Sequence, residues 1–241
     1  MVSLTNFNKK ILAYNLLIIV LFAFSGCATQ GVSSVNHRVN VPQKVENEKI
    51  FDKPYNKVWD ELLEKLSNSI YVIKNIDKES RTINLSFISI NPENYVDCGE
   101  TTRTYRQGNN IETYVYNSSA SVRYRLAENN QHHPYLAYYY FIKRDNTLEV
   151  LSSIYINNSN IKDSTILLVD NIYKLKIEFS GQSYAKPYNS NPFMTEKLPN
   201  KTSTVFFKTN SPAIHIFDNV EKITCSSNGR LENEIFSLLN E

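Results

Sequence analysis

The chain has 241 residues, with 26 Lys and Arg against 24 Asp and Glu and a formal net charge of +2. This flat balance excludes recognition of nucleic acid by bulk positive charge, and the length suits one ordinary domain or two small ones. Glycine is scarce, at 6 residues, while 16 Tyr and 12 Phe favour half-buried pleated surfaces.

The N-terminus reads as a secretory signal peptide over residues 1–26. Lys9 and Lys10 precede an apolar run from Ile11 to Phe24, broken only by Tyr14 and Asn15, and the small residues Ser25 and Gly26 follow. Ile11 to Gly26 falls short of the roughly 20 residues that cross a bilayer core. Phe24-Ser25-Gly26-Cys27 resembles a bacterial lipobox, with Phe24 where that family usually carries leucine. The resemblance implies cleavage before Cys27 and acylation of its thiol, palmitate included, as a membrane anchor. Ala28 is not the aspartate that signals retention in the inner membrane, so the resemblance implies an outer-membrane address facing the periplasm. Residues 27–48 are small and polar with no sustained period and predict a lipidated tether, whose roughly 20 residues reach about 65–70 Å.

A periplasmic domain is expected over 49–241, with a division into two subdomains left open. Lys49–Phe51 predicts a short strand, and Asp52 and Pro54 suit the first turn of a helix. Tyr55, Val58, Trp59, Leu62, Leu63 and Leu66 then form one apolar stripe at helical spacing. Ile83, Leu85 and Phe87 alternate with polar residues, as do Val122, Tyr124 and Leu126, and Tyr173, Leu175, Ile177 and Phe179. Period two is the mark of antiparallel sheet with one wet face. Further strands are expected at 71–74, 111–116, 136–142, 148–156, 204–208 and 213–217. A terminal helix, capped from Ser226, Ser227 or Asn228, carries Leu231, Ile235, Leu238 and Leu239. The expected fold class is α+β: an antiparallel, strand-rich sheet packed by an N-terminal and a C-terminal amphipathic helix.

With Cys27 lipidated, Cys98 and Cys225 remain. In an oxidising compartment they pair as a disulfide; the alternative is two separately buried thiols. No histidine or cysteine stands at ligand spacing near either, so no metal site is assigned. No Gly-x-Ser-x-Gly elbow, glycine-rich phosphate loop or zinc-protease spacing occurs, so no catalytic residue and no cofactor is assigned. His132 and His133 adjoin Pro134 in an expected loop and read as solvated. Tyr135, Tyr138 and Tyr140 belong to the densest aromatic patch, and Arg123 and Arg125 share a strand face near Arg103 and Arg106. These are candidate partner-binding residues, tyrosine offering large contact area at low entropic cost; the simpler reading is an ordinary strand with a solvated face.

Phe51-Asp-Lys-Pro-Tyr-Asn-Lys-Val-Trp-Asp-Glu-Leu and Ile76-Asp-Lys-Glu-Ser-Arg-Thr-Ile83 resemble the start of BamC-like outer-membrane lipoprotein domains. That resemblance covers about 40 residues and implies a helix across a curved sheet, with a role in envelope assembly or scaffolding. The first expectation is therefore a non-enzymatic, lipid-anchored protein that binds envelope proteins at the outer membrane. The alternatives are a binding module for a small apolar ligand or lipid, and an envelope polysaccharide-acting enzyme with two carboxylates about 5–10 Å apart.

Overall fold

A computed structural model describes residues 31–127, 136–187, 190–217 and 221–240. Two paired strands, β9 (Leu136–Asn158) and β10 (Thr165–Pro187), run antiparallel for 23 residues each and form the spine. On β9 the inward face reads Arg144, Asn146, Leu148, Val150, Ser152, Ile154 and Ile156; on β10 it reads Leu167, Val169, Asn171, Tyr173, Leu175 and Ile177. The outer edge of β9 pairs with β4 (Thr82–Ser89) along one half and β8 (Val122–Ala127) along the other. The outer edge of β10 pairs with β2 (Glu48–Phe51) and β11 (Phe193–Lys208). With β3 (Val72–Asp77) beyond β4, this makes a seven-stranded sheet.

Two three-stranded sheets complete the structure. One orders β1 (Val32–Arg38), β6 (Glu100–Gln107) and β7 (Asn110–Asn117); the other orders β12 (Ala213–Phe217), β13 (Glu221–Ser227) and β5 (Val96–Asp97). The helices are short: α1 (Tyr55–Ser67) buries Val58, Trp59, Leu62 and Leu66, and α2 (Arg230–Ser237) buries Leu231, Glu232, Ile235 and Phe236. Lys53 ties the helices together, its ammonium 2.7 Å from Glu61 Oε2 and 2.9 Å from the Leu239 carbonyl.

The helix-packed α+β expectation is overturned. Strand makes up 62% of the structure and helix 12%, in three antiparallel sheets. The apolar stripes at 55–66 and 231–239 do form helices, but they are too short to cover a sheet of this length, and strand faces close much of the interior themselves. A second correction concerns the tether expected over 27–48. Val32–Arg38 pairs along its whole length with β6, and Val45 is buried. Strand β1 thus begins five residues after Cys27. The alternation along it, Ser33, Val35 and His37 half-buried, is carried by residues too polar to register as a hydrophobic period.

Gly99 lets this strand approach. Its φ is +80°, and a Cβ there would lie 2.4 Å from the Arg38 carbonyl and 2.8 Å from the His37 ring. Next to it Cys98 bonds Cys225, closing the third sheet on itself across 127 residues of sequence. A buried carboxylate holds α2: Glu232 accepts from Asn171 Nδ2 (2.9 Å), Tyr173 Oη (2.9 Å) and Thr209 Oγ1 (2.8 Å). It sits in the first turn of α2, where the helix dipole favours negative charge.

Reduction, or a Cys98→Ser/Cys225→Ser pair, is expected to lower stability by about 5 kcal/mol, the chain-entropy value for a loop of this size. Urea denaturation of oxidised and reduced protein measures it; equal midpoints would refute the assignment of the bond as a major constraint.

Candidate functional site

The three sheets meet at one carboxylate. Glu221 opens β13, opposite Phe217 of β12, and is 3% exposed. Arg103 from β6 donates to Glu221 Oε2 through Nη2 and to Tyr116 Oη through Nε at 2.9 Å. Arg144 from β9, with no exposed surface, donates to Glu221 Oε1 through Nη1 at 3.3 Å and to the Ser118 carbonyl through Nη2. Its guanidinium lies against the rings of Phe179 and Phe217, with centroids at 5.7 and 5.3 Å, and Arg103 lies over Tyr124 at 4.6 Å. Asn146, two residues along β9, donates to the Ser119 and Ala120 carbonyls at 2.7 and 2.9 Å and holds the β7–β8 loop against the network.

Histidines border this cluster. His37 Nδ1 lies 3.1 Å from Thr101 Oγ1 and 3.3 Å from Ser118 Oγ. Thr101 in turn reaches Glu221 Oε1 at 3.3 Å. Burial pushes the His37 pKa down, against the pull of the Glu221 charge. His215 on β12 pairs with Ser203 Oγ at 2.6 Å, and burial, then the Arg144 charge, lowers its pKa too. Burial raises the Tyr124 phenol to about 12, so it stays protonated at neutral pH.

Above the network lies a cavity of about 530 Å³ at the junction of the three sheets, within the roughly 300–1,000 Å³ of small-molecule sites. Leu126, Ile142, Phe179, Leu198 and Phe217 give it apolar walls; Arg103 and Glu221 give it a charged end. Among the lining residues Tyr124, Phe217 and Glu221 are buried, whereas Ser34, Pro199 and Lys201 are exposed and mark the mouth.

A bulge shapes the wall. Phe179 pairs with Lys201 and Gly181 with Leu198, so Pro199 and Asn200 on β11 oppose Ser180 alone. Bulges tolerate a proline that cannot donate to the ladder, and they re-aim neighbouring side chains. A Cβ on Gly181 would meet Ile142 Cδ1 at 2.9 Å and the Phe141 carbonyl at 3.0 Å, so a larger residue here would require this stretch of wall to shift.

The residues singled out in the sequence fare unevenly. Cys27, Tyr135, His132 and His133 lie outside the described residues. Tyr138 and Tyr140 are half-buried on β9, opposite Ala185 and Ser183 of β10. Arg123 is exposed on β8, opposite Lys143, and Arg125 lies opposite Phe141. Directly opposed residues share a face, so alternation along β9 puts this arginine pair and the tyrosine pair on different faces, and they do not form one patch. Arg125 is committed within the chain, 2.7 Å from Glu112 Oε1 and over the Tyr139 ring. Arg103 is likewise committed within the chain, to Glu221. Arg144 and Glu221 carried no sequence signal beyond being charged residues in or beside apolar stretches. Among the described residues no group of three His, Cys, Asp or Glu side chains converges as a metal site, and no helix is long and apolar enough to cross a membrane.

No protein family, curated protein or solved structure matches this chain.

Glu221→Gln is expected to destabilise the protein by about 3–5 kcal/mol in urea denaturation, because it leaves two buried guanidiniums without their counter-charge. The Arg144→Met/Glu221→Met double variant should cost less than the two single variants added together; simple additivity would show that the groups do not interact. Stability is also expected to fall as pH drops below about 6.5, the ordinary pKa of histidine, because the folded His37 and His215 rings hold a proton less readily than the unfolded ones. His37→Gln should flatten this slope between pH 7 and 5, and an unchanged slope would remove His37 from the account.

Proposed function

We propose that this chain is a lipid-anchored envelope protein that binds a small apolar molecule in the cavity between its three sheets. The carrying observation is the cavity itself, apolar along its walls, polar at its inner end and open at its mouth. Glu221 is the one carboxylate among the described lining residues, so the paired carboxylates of glycoside cleavage have no second member there. The anchor belongs to the proposal: Cys27 carries the lipid and the domain faces the periplasm from the outer membrane. Four residues lie between Cys27 and Val32, and the five steps from one to the other span at most about 18 Å. Ser33, Ser34 and Val35 of β1 line the cavity, so an acylated Cys27 would keep one of its walls close to the membrane, where apolar molecules are concentrated.

A second reading, binding of an envelope protein, is favoured by the outer face of the large sheet. Val72, Leu151 and Ile172 are exposed and stand in one register row with Ser86 between the first two, and exposed Ile88 and Phe206 stand at the two ends of the next row, with the Glu149–Lys174 ion pair between them. Clustered exposed apolar residues rimmed by polar ones mark interaction sites. It is also the role implied by the resemblance of residues 51–83 to BamC-like domains.

Native mass spectrometry of the protein purified from its own membranes is expected to show a retained small molecule. Leu126→Trp, which fills the cavity, should abolish retention without changing thermal unfolding. An empty wild-type protein with no affinity for apolar dyes, together with a crosslinked partner lost on Leu151→Arg, would transfer the function to the outer sheet face.

A further inference from the structure

We infer that the cavity selects an apolar molecule carrying one negatively charged head group, a long-chain carboxylate or a phosphate ester, and seats that head against Arg103. The inference rests on the ligand-binding reading of the cavity and adds the charge of its occupant.

Three observations carry it. Within the buried network two guanidiniums, Arg103 and Arg144, share the single carboxylate of Glu221. A buried cluster with an unmatched cation is costly until an anion joins it. Second, Arg103 and Glu221 are the members of this network that line the cavity, whereas Arg144 sits behind Glu221 with no exposed surface. The excess positive charge therefore reaches the cavity through Arg103. Third, Arg103 donates through Nε to Tyr116 and through Nη2 to Glu221 and makes no hydrogen bond through Nη1 among the described residues. A side chain that lines the cavity thus keeps N–H donors not used within the described residues, and guanidinium edges suit carboxylate and phosphate oxygens. Its plane is held over Tyr124, so the donor is oriented before a ligand arrives. Leu126, Ile142, Phe179 and Leu198 give the adjoining walls hydrocarbon for an alkyl chain, while Ser33, Ser34, Ser180 and, at the mouth, Lys201 add polar groups. A cationic head seated against Arg103 would be repelled by its guanidinium, and a neutral alcohol would leave the charge excess of the network as it was.

Other features of the molecule carry less. Glu232 is buried but satisfied by hydroxyl and amide donors, and the outer sheet face has nothing on it to define the charge or shape of an occupant.

The test is calorimetric titration of the full chain with dodecanoate, 1-dodecanol and dodecyltrimethylammonium, which share one alkyl chain and differ in head group. Dodecanoate should bind at least tenfold more tightly than either of the others. Arg103→Gln should remove that advantage while leaving dodecanol affinity within twofold. Equal affinity for all three ligands, or preference for the cation, would overturn the inference and leave the apolar cavity standing. An Arg103→Gln protein that keeps the full preference would overturn the seat at Arg103. Binding of none of the three would fail the cavity reading and the inference together. If Arg103→Gln does not fold, the wild-type series decides by itself.

Discussion

The rest of the structure depends on the buried ion cluster at Glu221. This side chain belongs to the third sheet, Arg103 to the β1–β6–β7 sheet and Arg144 to the spine of the seven-stranded sheet. A single carboxylate therefore fixes how three sheets meet. Hydrophobic burial is non-directional and would tolerate several ways of stacking these faces. A charge-assisted bond to each of two guanidiniums tolerates far fewer, because an arginine left unpaired in that interior costs several kcal/mol. The cluster is thus a constraint on arrangement more than a source of net stability. The cavity is its by-product: aromatic rings stack on both guanidiniums, and the space beside them is not filled.

Two further nodes share the task. The Cys98–Cys225 bond closes the third sheet, joining the residue after β5 to β13. Glu232 gathers donors from β10, from Thr209 and from β13 around the start of α2. One node is covalent, one neutral-to-anionic and one ionic, and all three touch or adjoin β13. That short strand, flanked by Glu221 at one end and Ser227 at the other, links the cavity to the terminal helix.

Legibility followed the reach of each interaction. Strand β4 was readable because Ile83, Leu85 and Phe87 alternate against polar neighbours and bury one face. The stripe of α1 was readable for the same reason at helical period. Two strands were expected where β9 is one, since Arg144 and Asn146 interrupt the apolar alternation; they face inward like Leu148 and Val150, and their polarity hides the continuity. Strands β1 and β6 escaped because Ser, Thr, Asn and Arg carry their alternation, and their inward positions are satisfied by hydrogen bonds, such as Thr101 to Ser118 at 2.7 Å, instead of by hydrocarbon. The site was less legible than the fold. Arg103 was visible as a basic residue among others, and Arg144 and Glu221 not at all, because a buried charge looks like a solvated one until its partner is known.

By itself the sequence determined what depends on neighbours along the chain and on simple counting. That covers the local periods of β4, β10 and the two short helices, and the flat charge balance; for Cys98 and Cys225 it left a disulfide and two buried thiols as the options, and the structure shows the disulfide. Only the tertiary structure decided that the strands form three sheets instead of one sheet packed by two helices, that Val32–Arg38 is folded into a sheet, and that Glu221 meets Arg144 across 77 residues and Arg103 across 118. The physical reason is range. A period of two or 3.6 reports which side of an element faces inward, whereas the identity of what lies on that inner side depends on chain reversals that bring distant residues together.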